Sequence, residues 1–173
     1  MEELGRISPE AFKTATKIPV VAVLDNIRSM NNVGSVFRTA DAFLIQGIYL
    51  CGYTPRPPHR DIHKTALGAT ETVDWTYFED TLTAVQSLKK EGFGIYSVEQ
   101  ATGSISLENI NQVQADKIAL IFGNEVQGVQ QAVIDASDGC LEIPQYGTKH
   151  SLNISIAAGI TLWEVAKFLR RGK

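Results

Sequence analysis

The sequence predicts an α/β domain: a mostly parallel sheet of six strands with helices on both faces. Two patterns carry that expectation. Short apolar runs rich in β-branched residues alternate with segments of helical period, and the runs stay apolar along their length, as strands buried on both faces require. A length of 173 residues fits one domain spanning 1–173 with a sizeable core. A composition 44% hydrophobic and 20% charged excludes disordered, collagenous and fibrous classes.

The elements follow in order. Residues 1–19 make a short extension with one helix, opened by Ser8 as cap and Pro9 at its first position. Strands are expected at 20–24, 47–50, 73–77, 92–98, 118–122 and 140–143, with helices at 32–44, 62–67, 81–90 and 130–136 between them. Pro55, Pro57 and Pro58 force an extended path after the second strand, too short to divide domains. The last helix, about 153–170, carries Ile154, Ala158, Leu162, Val165 and Leu169 at spacings of three and four. Beside that stripe runs a second one of Ile156, Ile160 and Trp163. A stripe so wide either sinks into its own core or also meets a second copy of the chain, and the second reading predicts a homodimer through this helix. In sheets of this kind ligands sit beyond the carboxyl ends of the strands. The unusual loops fall there, after Leu24, Val98, Phe122 and Ile143.

Charge and cysteine usage narrow the function classes. The formal net charge is −3, so any nucleic-acid binding must be local rather than global. Such a region exists. Between residues 28 and 64 the basic residues are Arg28, Arg38, Arg56, Arg60 and Lys64, against two acids, Asp41 and Asp61. Cys51 and Cys140 lie far apart and outside any CxxC or Cys/His spacing, which supports neither a disulfide framework nor a zinc site and fits a reducing cytoplasm. Glu2 and Glu3 stand at the N-terminus with no apolar signal core, and nowhere do 18 apolar residues run together. A cytoplasmic protein with no membrane partner is expected.

Three constellations carry polar groups at the sheet's ligand edge. The first, residues 31–40, places Asn32 as helix cap and leaves the backbone at Gly34 open to close approach by a ligand. Arg38 follows, whose planar fork of donors suits phosphate. The second is GNEVQG at 123–128. Its glycine spacing matches half of a P-loop, but Val129 and Gln130 stand where Lys and Ser or Thr would be needed, which argues against a nucleotide triphosphatase. No GxGxxG follows the first strand either. What remains is a glycine turn that can press backbone groups against a ligand, with Glu125 projecting from it. The third, residues 143–155, crowds Ser151 as cap and Asn153 onto one helix N-terminus, preceded by Lys149 and His150. Each constellation, taken alone, also reads as an ordinary capped turn. Weaker pairs fall away: His59 and His63 lack the glutamate of HExxH, adjacent His150 and Ser151 make no triad, and Arg170, Arg171 and Lys173 are the usual positive end of a helix.

In this order, each after a strand, NNVGSVFRTADAF, IFGNEVQGV and IPQYGTKHSLNISIAAGI resemble the three motifs of the SpoU/TrmH class of RNA methyltransferases in the SPOUT superfamily, and HKTALGATETV resembles the family's segment after the second strand. The likeness runs from about Val20 to the end. It implies a domain whose part from about Ile118 onward threads a deep trefoil knot, an exception to the rule against knotted chains. It also implies S-adenosylmethionine as methyl donor, without a metal, held bent among three loops by Glu99, Gly123, Gly128, Ile143, Ser151 and Leu152. The implied reaction is methyl transfer to a ribose 2′-hydroxyl of tRNA or rRNA, with Asn32, Arg38, Glu125, Ser151 and Asn153 as its polar residues. A homodimer would share residues between its two sites. The family assigns Arg38 as proton acceptor. A guanidinium is almost always protonated, so a contact to the target's phosphate that eases alkoxide formation accounts for the same residue. Arg28, Arg38, Arg56, Arg60, Lys64 and Lys149 would face the RNA, with no separate RNA-binding domain. The alternative from another class is a non-catalytic dimeric RNA-binding protein on the same scaffold; a metabolite enzyme of ordinary doubly wound topology would need a phosphate loop that this sequence lacks.

Overall fold

The computed structural model describes residues 7–149 and 151–171; His150 and Lys173, with Glu2 and Glu3 of the extension, lie outside them. The chain runs α1 (Pro9–Thr14), β1 (Ile18–Asp25), α2 (Met30–Ala42), β2 (Ile45–Cys51), α3 (Arg60–Ala66), α4 (Ala69–Thr72), β3 (Trp75–Phe78), α5 (Thr81–Lys90) and β4 (Gly94–Val98). It continues through β5 (Ile105–Ser106), a 3-10 turn (Leu107–Gln112), β6 (Ile118–Phe122), α6 (Gln131–Ala136), β7 (Gly139–Glu142) and α7 (Ile154–Arg171). The sheet has seven strands rather than six, in the order β3-β2-β1-β6-β4-β7-β5. The additional strand, β5, is two residues long on the sheet's edge, too short to show any periodicity in sequence.

All the recorded strand pairs are parallel, so the loops after β1, β2, β4, β6 and β7 emerge at one edge. The alternation of side chains along a strand divides the core in two. Val20, Ala22 and Leu24 of β1 with Ile118, Leu120 and Phe122 of β6 face α2 and α7, where Val33, Val36, Phe37, Ala158, Leu162 and Val165 meet them. Val21, Val23, Ala119 and Ile121 face the other way, onto Ala84, Val85 and Leu88 of α5 and Val133 of α6. On α7 the first stripe is therefore core, while Ile156, Ile160 and Trp163 are exposed, the Trp163 ring lying 5.5 Å, centre to centre, from that of Phe43. Among the described residues no helix is long and apolar enough to cross a membrane.

Local chemistry sets the helix ends. Ser8 accepts from the Ala11 N–H, as its position before Pro9 requires. The cap of α2 is Ser29, not Asn32: the Ser29 hydroxyl accepts from the Asn32 N–H at 3.2 Å, and the helix starts two residues earlier than the apolar period indicates. At Gly34 the close approach is made by α3 rather than by a ligand. A Cβ there would strike the Ile62 carbonyl and the Thr65 hydroxyl, so the missing side chain is what lets α2 lie directly on α3.

Candidate active site

The loop from Gly123 to Gln130 leaves the sheet at its centre, after β6, and is fastened on every side. Gly128 takes φ +71°, and the N–H groups and carbonyls of Asn124 and Gly128 exchange bonds at 3.0 and 2.9 Å, closing a tight turn. Gly123 has no room for a Cβ, which would meet the backbone of Gly128 and Val129. Asn124, 7% exposed, fills the turn. Its Oδ1 accepts from the N–H of Val126 and Gln127, and its Nδ2 donates to the Asn26 carbonyl and the Tyr53 hydroxyl, both at 2.8 Å. Downstream, Gln130 donates from N and Nε2 to the fully buried carboxylate of Asp25, which also accepts from Thr81 and Asn26.

Glu125 joins the three constellations. Its carboxylate accepts from the N–H groups of Arg28 and Ser29 at 3.0 and 3.1 Å and from Asn32 Nδ2 at 3.2 Å. Asn32 Oδ1 in turn accepts from Asn153 Nδ2 at 3.3 Å. Partial burial alone would raise the Glu125 carboxyl's pKa. The backbone donors of Arg28, Glu125 itself and Ser29, with the Asn32 amide, outweigh it and hold the group below its ordinary value. Asn153, not Ser151, caps α7: its Oδ1 accepts from the N–H and hydroxyl of Ser155 at 2.9 and 2.7 Å, and its carbonyl from Ile156 and Ala157. Ser151 is thereby left exposed, two residues before the cap.

Beside this chain of bonds lies a cleft of about 650 Å³, walled by the loops after β4, β6 and β7 and the start of α7. Every residue assigned above to a cofactor, Glu99, Gly123, Gly128, Ile143, Ser151 and Leu152, lines it, as do Glu125 and Asn153. Glu99 reaches across to the glycine turn, accepting from the Val129 N–H at 3.2 Å. Val98, Phe122, Ile134 and Leu141 supply apolar wall. The volume and the mix of apolar wall with a few convergent polar groups are those of a small-molecule site. Asn32 stands just behind the cleft, tied to two of its residues. Arg38 does not line it; the side chain is exposed, with no hydrogen bond or ion pair among the described residues.

The other basic residues assigned above to RNA lie in the loops after β1, β2 and β7 and on α3. Arg28, Arg60, Lys64 and Lys149 are exposed, and the exposed Arg56 lies with its guanidinium 4.1 Å from the centre of the Tyr77 ring. His59 caps α3, accepting from the Asp61 N–H, and among the described residues no three His, Cys, Asp or Glu side chains gather as a metal site. Cys51 and Cys140 are free and buried, and burial pushes the Cys51 thiol up to about 12, far from a reactive thiolate. Sequence reasoning overlooked Asn124, Asp25 and Ser29. A charged residue ending an apolar strand, and an asparagine directly after Gly123, were the available signals.

Comparison with known proteins places this arrangement. The model of the SpoU rRNA Methylase family matches residues 19–163. A tRNA/rRNA methyltransferase of Borreliella burgdorferi, not further characterised, is 32% identical over 86% of this chain and 64% of its own length. A 23S rRNA (guanosine-2′-O-)-methyltransferase of Neisseria meningitidis is 27% identical over 91% of the chain and 62% of its own length. The chain thus spans less than two thirds of either relative. Among solved structures, the AdoMet-bound rRNA methyltransferase of Sinorhizobium meliloti superposes with a TM-score of 0.80 at 27% identity, covering 96% of this chain and 61% of that one.

Proposed function

The chain belongs to the SpoU rRNA Methylase family, and on that premise we propose that it transfers a methyl group from S-adenosylmethionine to a ribose 2′-hydroxyl of tRNA or rRNA. One observation carries the reading: the hydrogen-bonded series Glu125–Asn32–Asn153, drawn from three distant segments, stands at the wall of a cleft of about 650 Å³ lined by three strand-end loops. The S. meliloti enzyme, of the same fold, is a structure with AdoMet bound.

The cleft fits such a donor. Its apolar wall suits a purine, and the carboxylates of Glu99 and Glu125 suit a cationic sulfonium and ammonium. S-adenosylmethionine, when bound, supplies an activated methyl group on sulfur; Glu99, Gly123, Gly128, Ile143, Ser151 and Leu152 would hold it. Displacement of that methyl by the hydroxyl oxygen needs alignment and removal of one proton, so positioning dominates. Asn32 and Asn153, fixed by Glu125 and by each other, orient the ribose, with Ser151 beside them. Arg38 contacts the phosphate of the target and eases the developing alkoxide. Arg28, Arg56, Arg60, Lys64 and Lys149 meet the RNA backbone, which makes binding fall with rising salt.

The finer architecture belongs to the same proposal. The part from Ile118 onward forms a trefoil knot, a reading supported by β6 lying between β1 and β4 and by the return of α7 onto α2 and β1. Two chains pair through the exposed stripe of α7, and Arg38, which lies off its own chain's cleft, serves the partner's. Work in the cytoplasm accords with an RNA substrate and two free cysteines.

Calorimetric titration with S-adenosylmethionine, its demethylated product, ATP and NAD tests the reading before any RNA is chosen. Saturable binding of the first two alone, near one per chain, is expected. Absence of binding, with and without added RNA, would leave a scaffold without its cofactor and favour the non-catalytic RNA-binding protein.

A further inference from the structure

The loop after β2 carries a second recess that the cofactor cleft does not use, about 540 Å³, walled by Tyr53, Thr54, Arg56 and His59. Its backbone is fixed. The Thr54 hydroxyl donates to the Leu24 carbonyl and accepts from the Ile27 N–H, both at 3.0 Å and both buried, and the Tyr53 N–H donates to Asn26 Oδ1. The Tyr53 hydroxyl is held by Asn124 of the glycine turn, yet the residue is 59% exposed. The result is an aromatic ring anchored at its backbone and at its hydroxyl, with its remaining surface in solvent. Arg56 adds a guanidinium stacked on Tyr77, exposed and without an acidic partner among the described residues. An immobilised ring costs little further entropy when it stacks, and a stacked guanidinium keeps its donors free for an anion.

Resting on the function proposed above, we infer that this recess is a subsite for one unpaired nucleotide beside the methylated one, its base stacking on Tyr53 and its phosphate pairing with Arg56. Two features favour single-stranded RNA over a duplex. A duplex hides its base faces, so an exposed aromatic ring beside an exposed guanidinium suits splayed or looped nucleotides. Tyr53, which walls the recess, also accepts at its hydroxyl from Asn124 Nδ2, and Asn124 lines the cleft, so a nucleotide seated on Tyr53 lies next to the cleft rather than at a remote site. The observation thus names the shape of the target: a loop or bulge, read partly by stacking.

The test uses the full chain and a short fluorescein-labelled oligouridylate, followed by anisotropy at low salt. Tyr53→Ala should weaken binding about tenfold, the scale of one stacked base. Tyr53→Phe, which keeps the ring and loses only the hydroxyl, should stay within about twofold. Arg56→Ala should reduce the slope of log affinity against log salt by about one. A Tyr53→Ala chain that binds as well as the parent, a Tyr53→Phe chain that falls as far as Tyr53→Ala, or a parent chain that ignores the oligonucleotide would each overturn the subsite. Cofactor titration of the parent separates this from the broader reading: S-adenosylmethionine binding with an inert Tyr53 overturns the subsite alone, whereas binding of neither ligand overturns the function as well.

Discussion

Glu125 holds two backbone N–H groups and one amide on a single carboxylate, and each of those donors belongs to the segment that starts α2. Replacing it with glutamine keeps the shape but removes the charge and turns one acceptor into a donor facing other donors. Hydrogen bonds to a charged group contribute about 1.5–3 kcal/mol each, so Glu125→Gln should lower methyl transfer by about tenfold or more. The acid's lowered pKa adds a pH signature. A carboxyl held below its ordinary 4.5 contributes stability that is fully present above that value and fades as pH falls through the folded-state value. The Tm gap between the parent and Glu125→Gln should therefore be constant from neutral pH down to about 4.5 and close below it; a gap that widens in acid contradicts the assignment. Arg38 belongs to the same scale with the opposite geometry, exposed and off the cleft. Arg38→Ala should abolish transfer while leaving S-adenosylmethionine affinity nearly intact by calorimetry, and equal loss of both would refute that division of roles.

Elements, rather than residues, decide where sequence reasoning ran short. The order of strands and helices was legible because both periods are strong, and three polar constellations were legible because each followed an apolar strand. The caps were not. Ser29 and Asn32 are both good cap residues, as are Ser151 and Asn153, and local preference cannot choose between them. The choice falls to tertiary bonds: Glu125 draws the Asn32 side chain toward Asn153, so Ser29 takes the helix end. Gly34 misled for a related reason, since a glycine's need for close approach does not say what approaches. Here α3 does, and Gly34→Ala would drive a methyl into the Ile62 carbonyl. Overpacking of this kind costs roughly 1–3 kcal/mol, which should appear as a Tm lower by several degrees. Gly123→Ala meets backbone of its own turn instead, so cofactor affinity should drop with it, whereas Gly34→Ala retains the cleft. Calorimetry on the two variants separates a packing glycine from a site glycine.

At the scale of the whole molecule, two facts that look unrelated meet. Ile156, Ile160 and Trp163 leave an apolar stripe on α7 exposed, and Arg38, on the neighbouring α2, has no hydrogen-bond or ion-pair partner among the described residues. Apolar stripes of that kind are covered by association. If two chains pair there, an arginine idle in one can complete a site in the other, and neither chain alone is an enzyme. Mixing variants tests that logic. A chain with Arg38→Ala keeps its cleft, and a chain with the cleft-filling Ser151→Trp, checked by loss of cofactor binding, keeps its arginine. Each should be inactive alone. After subunit exchange, sites shared across the interface give mixed dimers one intact cleft facing one intact arginine, and part of the transfer activity returns. Sites built from a single chain give no complete set in any mixture, and activity stays absent. Ile160→Glu supplies the control for the proposed pairing: on an exposed face it should leave the circular dichroism unchanged, leave the chain monomeric in sedimentation, and remove both the parent activity and the recovery on mixing.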